Sequence, residues 1–158
     1  MIIPSNIADS PEYDIISAYY LKKKTSHDVP LMNHINEGII TLLKMNADEN
    51  TILAWCIHPI MQGDVEVDVS WSDPLALARE YTLRANSYLC SPATDYIMNA
   101  RQLKSIMKPM SQECAQLLIT DKLQNYTDFM IYNREHPRAV NLERYFSIWL
   151  QYLRTILK

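Results

Sequence analysis

Two glycines, Gly38 and Gly63, are all that this 158-residue chain contains. A phosphate-cradling loop needs several glycines close together, so P-loop and dinucleotide-fold enzymes are excluded. Cysteine is nearly as scarce. Cys56, Cys90 and Cys114 stand far apart and none belongs to a CxxC pair, which argues against a thiolate zinc site and a disulfide framework. Reduced thiols in a cytoplasmic protein are the expectation. No apolar run reaches the roughly 18 residues of a membrane span, so no membrane partner is expected. The opening "MIIPSNIADSPEY" lacks the basic and apolar regions of a secretory signal, and none is expected. Neither sign of charge dominates. The net charge of -3 speaks against a nucleic-acid duplex as partner.

What is present reads as helix. Hydrophobic residues make up 48% and charged residues 21%, ordinary values for a globule. A chain of this length fits one domain, 1–158, burying roughly 70% of its unfolded surface. "PEYDIISAYYLKK" opens after Ser10, an N-cap, with Pro11 at the first helical position. "LMNHINEGIITLLKM" follows a turn containing Pro30. "NADENTILAWCIH" starts at Asn46 with Glu49 at capping-box spacing and is expected to stop at Pro59. "VEVDVSW" reads as a connector. "SDPLALAREYTLRANSYL" has Ser72 or Asp73 as its cap and Pro74 in its first turn. A less regular stretch, 90–110, precedes a long helix over 111–132. In the last helix, "NLERYFSIWLQYLRTIL", apolar residues recur at steps of three and four. The expectation is an all-α bundle of six or seven helices.

Polar residues at inward positions carry the chemistry. Burying one without a partner costs about 2–7 kcal/mol, so inward polar groups are expected to find one another. His34 stands at the start of an apolar helix. His58 ends the continuous apolar run "ILAWCI". Asp121 and Asn125 share a helix face with Cys114, Leu117, Leu118 and Phe129. Two neutral imidazoles and a carboxylate from three helices form a site for a divalent metal. The plainer alternative is a buried hydrogen-bonded network.

These stretches, in this order, resemble the HD-domain phosphohydrolases, in particular the domain of stringent-response enzymes that removes pyrophosphate from ppGpp. "DVPLMNHIN" is similar to the family's G-x-P-Y-x-x-H-P segment, with His34 in the ligand position. "ILAWCIHPIMQGD" is similar to its apolar helix ending in LLHDVVED, with His58 on the histidine. "LITDKLQNY" is similar to KLADRLHNM, with Asp121 on the ligand aspartate and Asn125 on the asparagine that lines the nucleotide pocket. The likeness spans 29–126. It departs at Pro59, which stands where the family's doublet has aspartate, and at Gln62 and Gly63, which replace an acidic pair. A literal His27-Asp28 pair is expected to fall in a loop, since no apolar helical pattern precedes it.

The resemblance implies an HD-like bundle and hydrolysis of a purine nucleotide, a ppGpp-like alarmone or a dNTP, with Mn²⁺ held by His34, His58 and Asp121. Asp64 is the first choice for the base, with Glu37 as a second catalytic acid; Asp64, Glu66 or Glu37 could also replace the missing ligand, Glu37 lying one turn beyond His34. Asn125 would bond the nucleotide. Lys22, Lys23 and Lys24 would meet its phosphates, as would Arg79 or Arg84, although Glu80 stands four residues before Arg84 as a surface pair. Tyr19 and Tyr20 could stack a purine. The alternative is a degenerate fold that sequesters a nucleotide or a partner protein. Small phage-encoded proteins are similar in their compact, glycine-poor character, which points to a host protein in that role. Tyr152, read as exposed on the last helix, suggests a homo-oligomer surface.

Overall fold

Eight helices account for most of the described residues. The computed structural model describes residues 2–21, 23–24, 29–62, 72–85, 99–132, 134–135 and 137–157. The helices are α1 (Ser5–Ala8), α2 (Pro11–Tyr20), α3 (Leu31–Lys44), α4 (Glu49–Gln62), α5 (Ser72–Ala85), α6 (Ala100–Ile106), α7 (Gln112–Tyr132) and α8 (Ala139–Ile156). Among the described residues there is no strand, only an isolated bridge between Lys24 and Pro30. No helix among them is long and apolar enough to cross a membrane. The all-α expectation holds, with two short helices, α1 and α6, beyond the strongly periodic segments. Glu66, the connector 65–71 and Cys90 lie outside the described residues.

α4 lies at the centre, packed against α1, α2, α3, α5 and α7. Its composition explains this. Thr51, Ile52, Ala54, Trp55, Cys56, Ile57, His58 and Ile60 are all buried, leaving no polar face to turn outward. α3 instead has one apolar stripe, Ile35, Ile39 and Leu42, each fully buried and each contributing about 2 kcal/mol of transfer free energy. Gly38 on that stripe brings α3 close to α4: a Cβ there would overlap the indole of Trp55.

The capping chemistry is partly as expected. Ser10 Oγ accepts from the Tyr13 amide at 3.2 Å. Ser111 caps α7, accepting from the Cys114 amide at 3.1 Å. Its own amide and hydroxyl donate to the two carboxylate oxygens of Glu80 at 2.9 and 2.8 Å, which ties α7 to α5. The start of α4 is a correction. Asp48, not Asn46, is the side-chain cap, accepting from the Thr51 amide at 2.7 Å. Asn46 has φ of 53° in the turn after α3, a conformation asparagine tolerates better than most residues.

Two further corrections concern Pro59 and Tyr152. Pro59 does not end α4, which runs on to Gln62. A proline inside a helix costs about 3 kcal/mol. Burial of Ile60, only 2% exposed, offsets about 2 of these, and the packing of helices around α4 holds its last turn in place. Tyr152 is 5% exposed, not on an outer face; Arg84 of α5 and Cys114 of α7 lie beside it, so tertiary packing closes a side that an isolated amphipathic helix would leave open.

Candidate metal centre

His34 comes from the first turn of α3, His58 from the last turns of α4 and Asp121 from the middle of α7. One potential ligand atom from each lies within 4.8 Å of the other two. His58 and Asp121 are 2% and 6% exposed, and His34 is half-buried. This is the trio that the inward polar positions point to.

Aromatic packing orients the imidazoles. The Trp55 ring packs against both, with centroids 4.2 Å from His58 and 5.0 Å from His34. The two imidazoles are 5.6 Å apart. Trp55 is itself fixed, its indole N–H donating to the Ile35 carbonyl at 3.0 Å. Tyr81 of α5 meets His58 edge-on at 5.1 Å, and its hydroxyl bonds to Asp121 and Gln62. His58 Nδ1 is 2.5 Å from the Trp55 carbonyl. A carbonyl only accepts, so Nδ1 carries the proton and the lone pair of the neutral ring resides on Nε2.

Asp121 is held on both oxygens. Lys122 Nζ donates to Oδ2 at 2.9 Å and Asn125 Nδ2 donates to Oδ1 at 2.8 Å. Burial alone would raise the Asp121 pKa. The Lys122 ammonium, then His34 and His58, outweigh it and hold the carboxyl below its usual range. Burial likewise works against Lys122, but Asp121 pushes it up to about 12, so the pair is ionised. The Lys122 ammonium also lies 5.6 and 5.4 Å from the ring centroids of Tyr145 and Trp149. His34 is lowered by burial against the opposing pull of Asp121, Asp128 and Glu37. His58 is pushed down to about 3 by burial and by its neighbour His34. Both imidazoles are therefore neutral at pH 7, as metal ligation requires.

This donor set fits a divalent ion. Ligand atoms around an ion at about 2.1 Å sit roughly 3–4 Å apart, so side chains whose ligand atoms lie within 4.8 Å need close by about 1–2 Å at most. Each carboxylate oxygen has a second lone pair, so Asp121 can ligate while keeping Lys122 and Asn125.

A cavity of about 410 Å³ opens on His34, lined also by Asn33, Glu37, Gln124, Asp128 and Tyr132. Glu37 and Asp128 give its rim two carboxylates. Gln124 brings a buried amide with no hydrogen-bond partner. Lys23 and Lys24 lie elsewhere, in a groove of about 470 Å³ with Tyr13, Tyr20 and Asn36; Pro30 lines both hollows. Lys23 Nζ sits 3.7 Å from the Tyr19 ring centroid. Arg84 is half-buried beside Cys114 and Tyr152. Its Nε has no hydrogen-bond partner. Arg79 is exposed on α5. Lys22, Asp64 and Gly63 lie outside the described residues. Sequence reasoning missed Tyr81, Lys122, Gln124 and Asp128. Gln124 and Asp128 follow Asp121 by three and seven residues, one helical face, and that stepping was available to find them.

The buried histidine makes stability pH-dependent. Below pH 6.5 the unfolded chain takes up a proton at residue 58 that the folded chain refuses until about pH 3. Stability of the metal-free protein is therefore greatest above pH 6.5. It falls by about 1.4 kcal/mol per pH unit as the pH drops through that window. The lowered carboxyl of Asp121 adds to the loss at more acid pH. Urea unfolding at pH 7.5, 6.5 and 5.5 measures the slope, which should flatten in His58→Gln. A wild-type protein equally stable at the three values would contradict it.

Comparison with protein-family models, with curated proteins and with solved structures finds no match for this chain.

Proposed function

We propose that this chain is a divalent-metal protein of HD-like design that hydrolyses a phosphoester of a purine nucleotide. The supporting observation is the meeting of His34, His58 and Asp121 within 4.8 Å, on helices from three separate parts of the chain. A bound ion supplies Lewis-acid charge and acidifies water. The remaining work falls to side chains. His34 and His58 present neutral nitrogens, and Lys122 and Asn125 hold the Asp121 carboxylate in one orientation. Glu37, exposed on the rim one turn beyond His34, is the described acid suited to accept the proton from water. A nucleotide lying across Pro30 would reach the groove of Lys23, Lys24, Tyr13 and Tyr20, where cations meet phosphate and rings meet the base. Mn²⁺ suits the nitrogen and oxygen donors.

A second reading, a binding protein without turnover, is favoured by one feature. Both Asp121 oxygens are already engaged and the rim carries two carboxylates, an arrangement that repels a polyphosphate. Its ligand would be a partner protein, or a nucleotide held away from the acidic rim in the groove of Lys23 and Lys24.

Calorimetry with Mn²⁺ and Zn²⁺, followed by assays of phosphate or pyrophosphate release from ppGpp and dNTPs, separates the two. Hydrolysis predicts one ion per chain and metal-dependent release that is lost in His34→Gln. Ion binding without release supports the second reading. A protein that takes up no divalent ion defeats the first.

A further inference from the structure

We infer that Pro59 is a positioning residue: by removing a main-chain donor it reserves the Trp55 carbonyl for His58 and so points the His58 lone pair at the metal centre. In a regular helix the amide of residue 59 would donate to the carbonyl of residue 55. Proline has no N–H, so α4 reaches Trp55 with one interior carbonyl lacking its main-chain partner. Trp55 is fully buried, and an unpaired carbonyl at such a place is rarely tolerated. His58 Nδ1 fills the role at 2.5 Å, from three residues along the same helix. His58 is 2% exposed, which leaves little room for water to compete. The bond fixes the ring's rotation, and it fixes the proton on Nδ1.

The substitution therefore does two things at once. It removes the oxygen donor that the family resemblance places at this position. It also installs a fixed tautomer on the neighbouring nitrogen ligand, the kind of outer contact that governs metal affinity. An alanine at residue 59 would restore a main-chain donor to the Trp55 carbonyl and leave His58 Nδ1 to share it or turn away.

The inference rests on the metal reading of the cluster, and the test is chosen so that the two stand apart. Long-range ¹H–¹⁵N correlation spectra of the metal-free protein identify the tautomer of His58, with His58→Gln assigning the signals. The wild type should show Nδ1–H. Pro59→Ala should unfold at higher temperature, since a helix-breaking residue is gone, yet populate the Nε2–H tautomer. In calorimetry with Mn²⁺ or Zn²⁺ it should bind 10- to 100-fold more weakly. A proline serving structure alone would leave tautomer and affinity unchanged. A His58 that keeps Nδ1–H in Pro59→Ala overturns the inference, as does a shifted tautomer with affinity within twofold of wild type. If the wild type binds no ion but the tautomer shifts, the proposed function falls while the hold of Pro59 on the ring stands.

Discussion

Gly38→Ala is expected to destabilise the protein by about 3 kcal/mol, although alanine is the better helix former. Alanine in the middle of α3 gains about 1 kcal/mol in helix propensity. Against this, the new methyl would overlap Cε2, Cζ2 and Nε1 of Trp55. These belong to a rigid ring that is fully buried and cannot swing aside like the end of a flexible chain. Overpacking at such a site costs about 3 kcal/mol, and displacing the indole adds about 1 for its bond to the Ile35 carbonyl. The damage extends to function, because the same ring packs on His34 and His58. Metal affinity should fall at least tenfold. Urea unfolding of Gly38→Ala, Trp55→Phe and the double variant tests the cause: the smaller ring should recover part of the loss, giving a coupling of about 1 kcal/mol or more. A Gly38→Ala protein as stable as wild type would show that α3 and α4 are not in contact there.

Asp121→Ala should be more damaging, costing about 3–5 kcal/mol and abolishing metal binding. Its stability loss comes from the partner left behind. Lys122 is 6% exposed, and without Asp121 its ammonium is a buried charge facing the rings of Tyr145 and Trp149 and a tyrosine hydroxyl. Removing one member of a buried pair is far worse than removing both. The double variant Asp121→Leu/Lys122→Met should therefore regain most of the stability while remaining unable to bind an ion. Thermal melts with and without Mn²⁺ separate the two effects: wild type gains stability from the ion and the double variant does not. If Asp121→Ala alone unfolds no more readily than wild type, the lysine must have found water or another acid, and the buried pair is not what holds α7 in register.

Much of this arrangement could be read from the residue pattern, for physical reasons that differ by element. α3 and α8 announce themselves through apolar stripes. α4 declares its central place through the absence of a polar face. His34, His58 and Asp121 stood out because each interrupts a buried surface, and burial makes partners obligatory. The misses have equally specific causes. α1 has four residues, too few to show any periodicity. Pro59 misled because the local rule against helix before proline competes with tertiary packing, and the burial of Ile60 won. At the start of α4 two cap-forming residues lie two positions apart, and only the turn after α3 decides between Asn46 and Asp48. Tyr81 reaches Asp121 from a helix forty residues away, and Tyr152 is buried beside Arg84 of α5 and Cys114 of α7. Neither fact depends on anything local to those residues.

The indole packed against both imidazoles has an optical consequence. Trp55 is one of three tryptophans in the chain, and its ring centre is 4.2 and 5.0 Å from the two rings on which an ion would sit. A paramagnetic ion held by those nitrogens would quench this chromophore at near-contact range, whereas Trp149 packs at a tilt against Tyr152 on another helix. Uptake of such an ion would thus be read from the intrinsic emission, with no label attached.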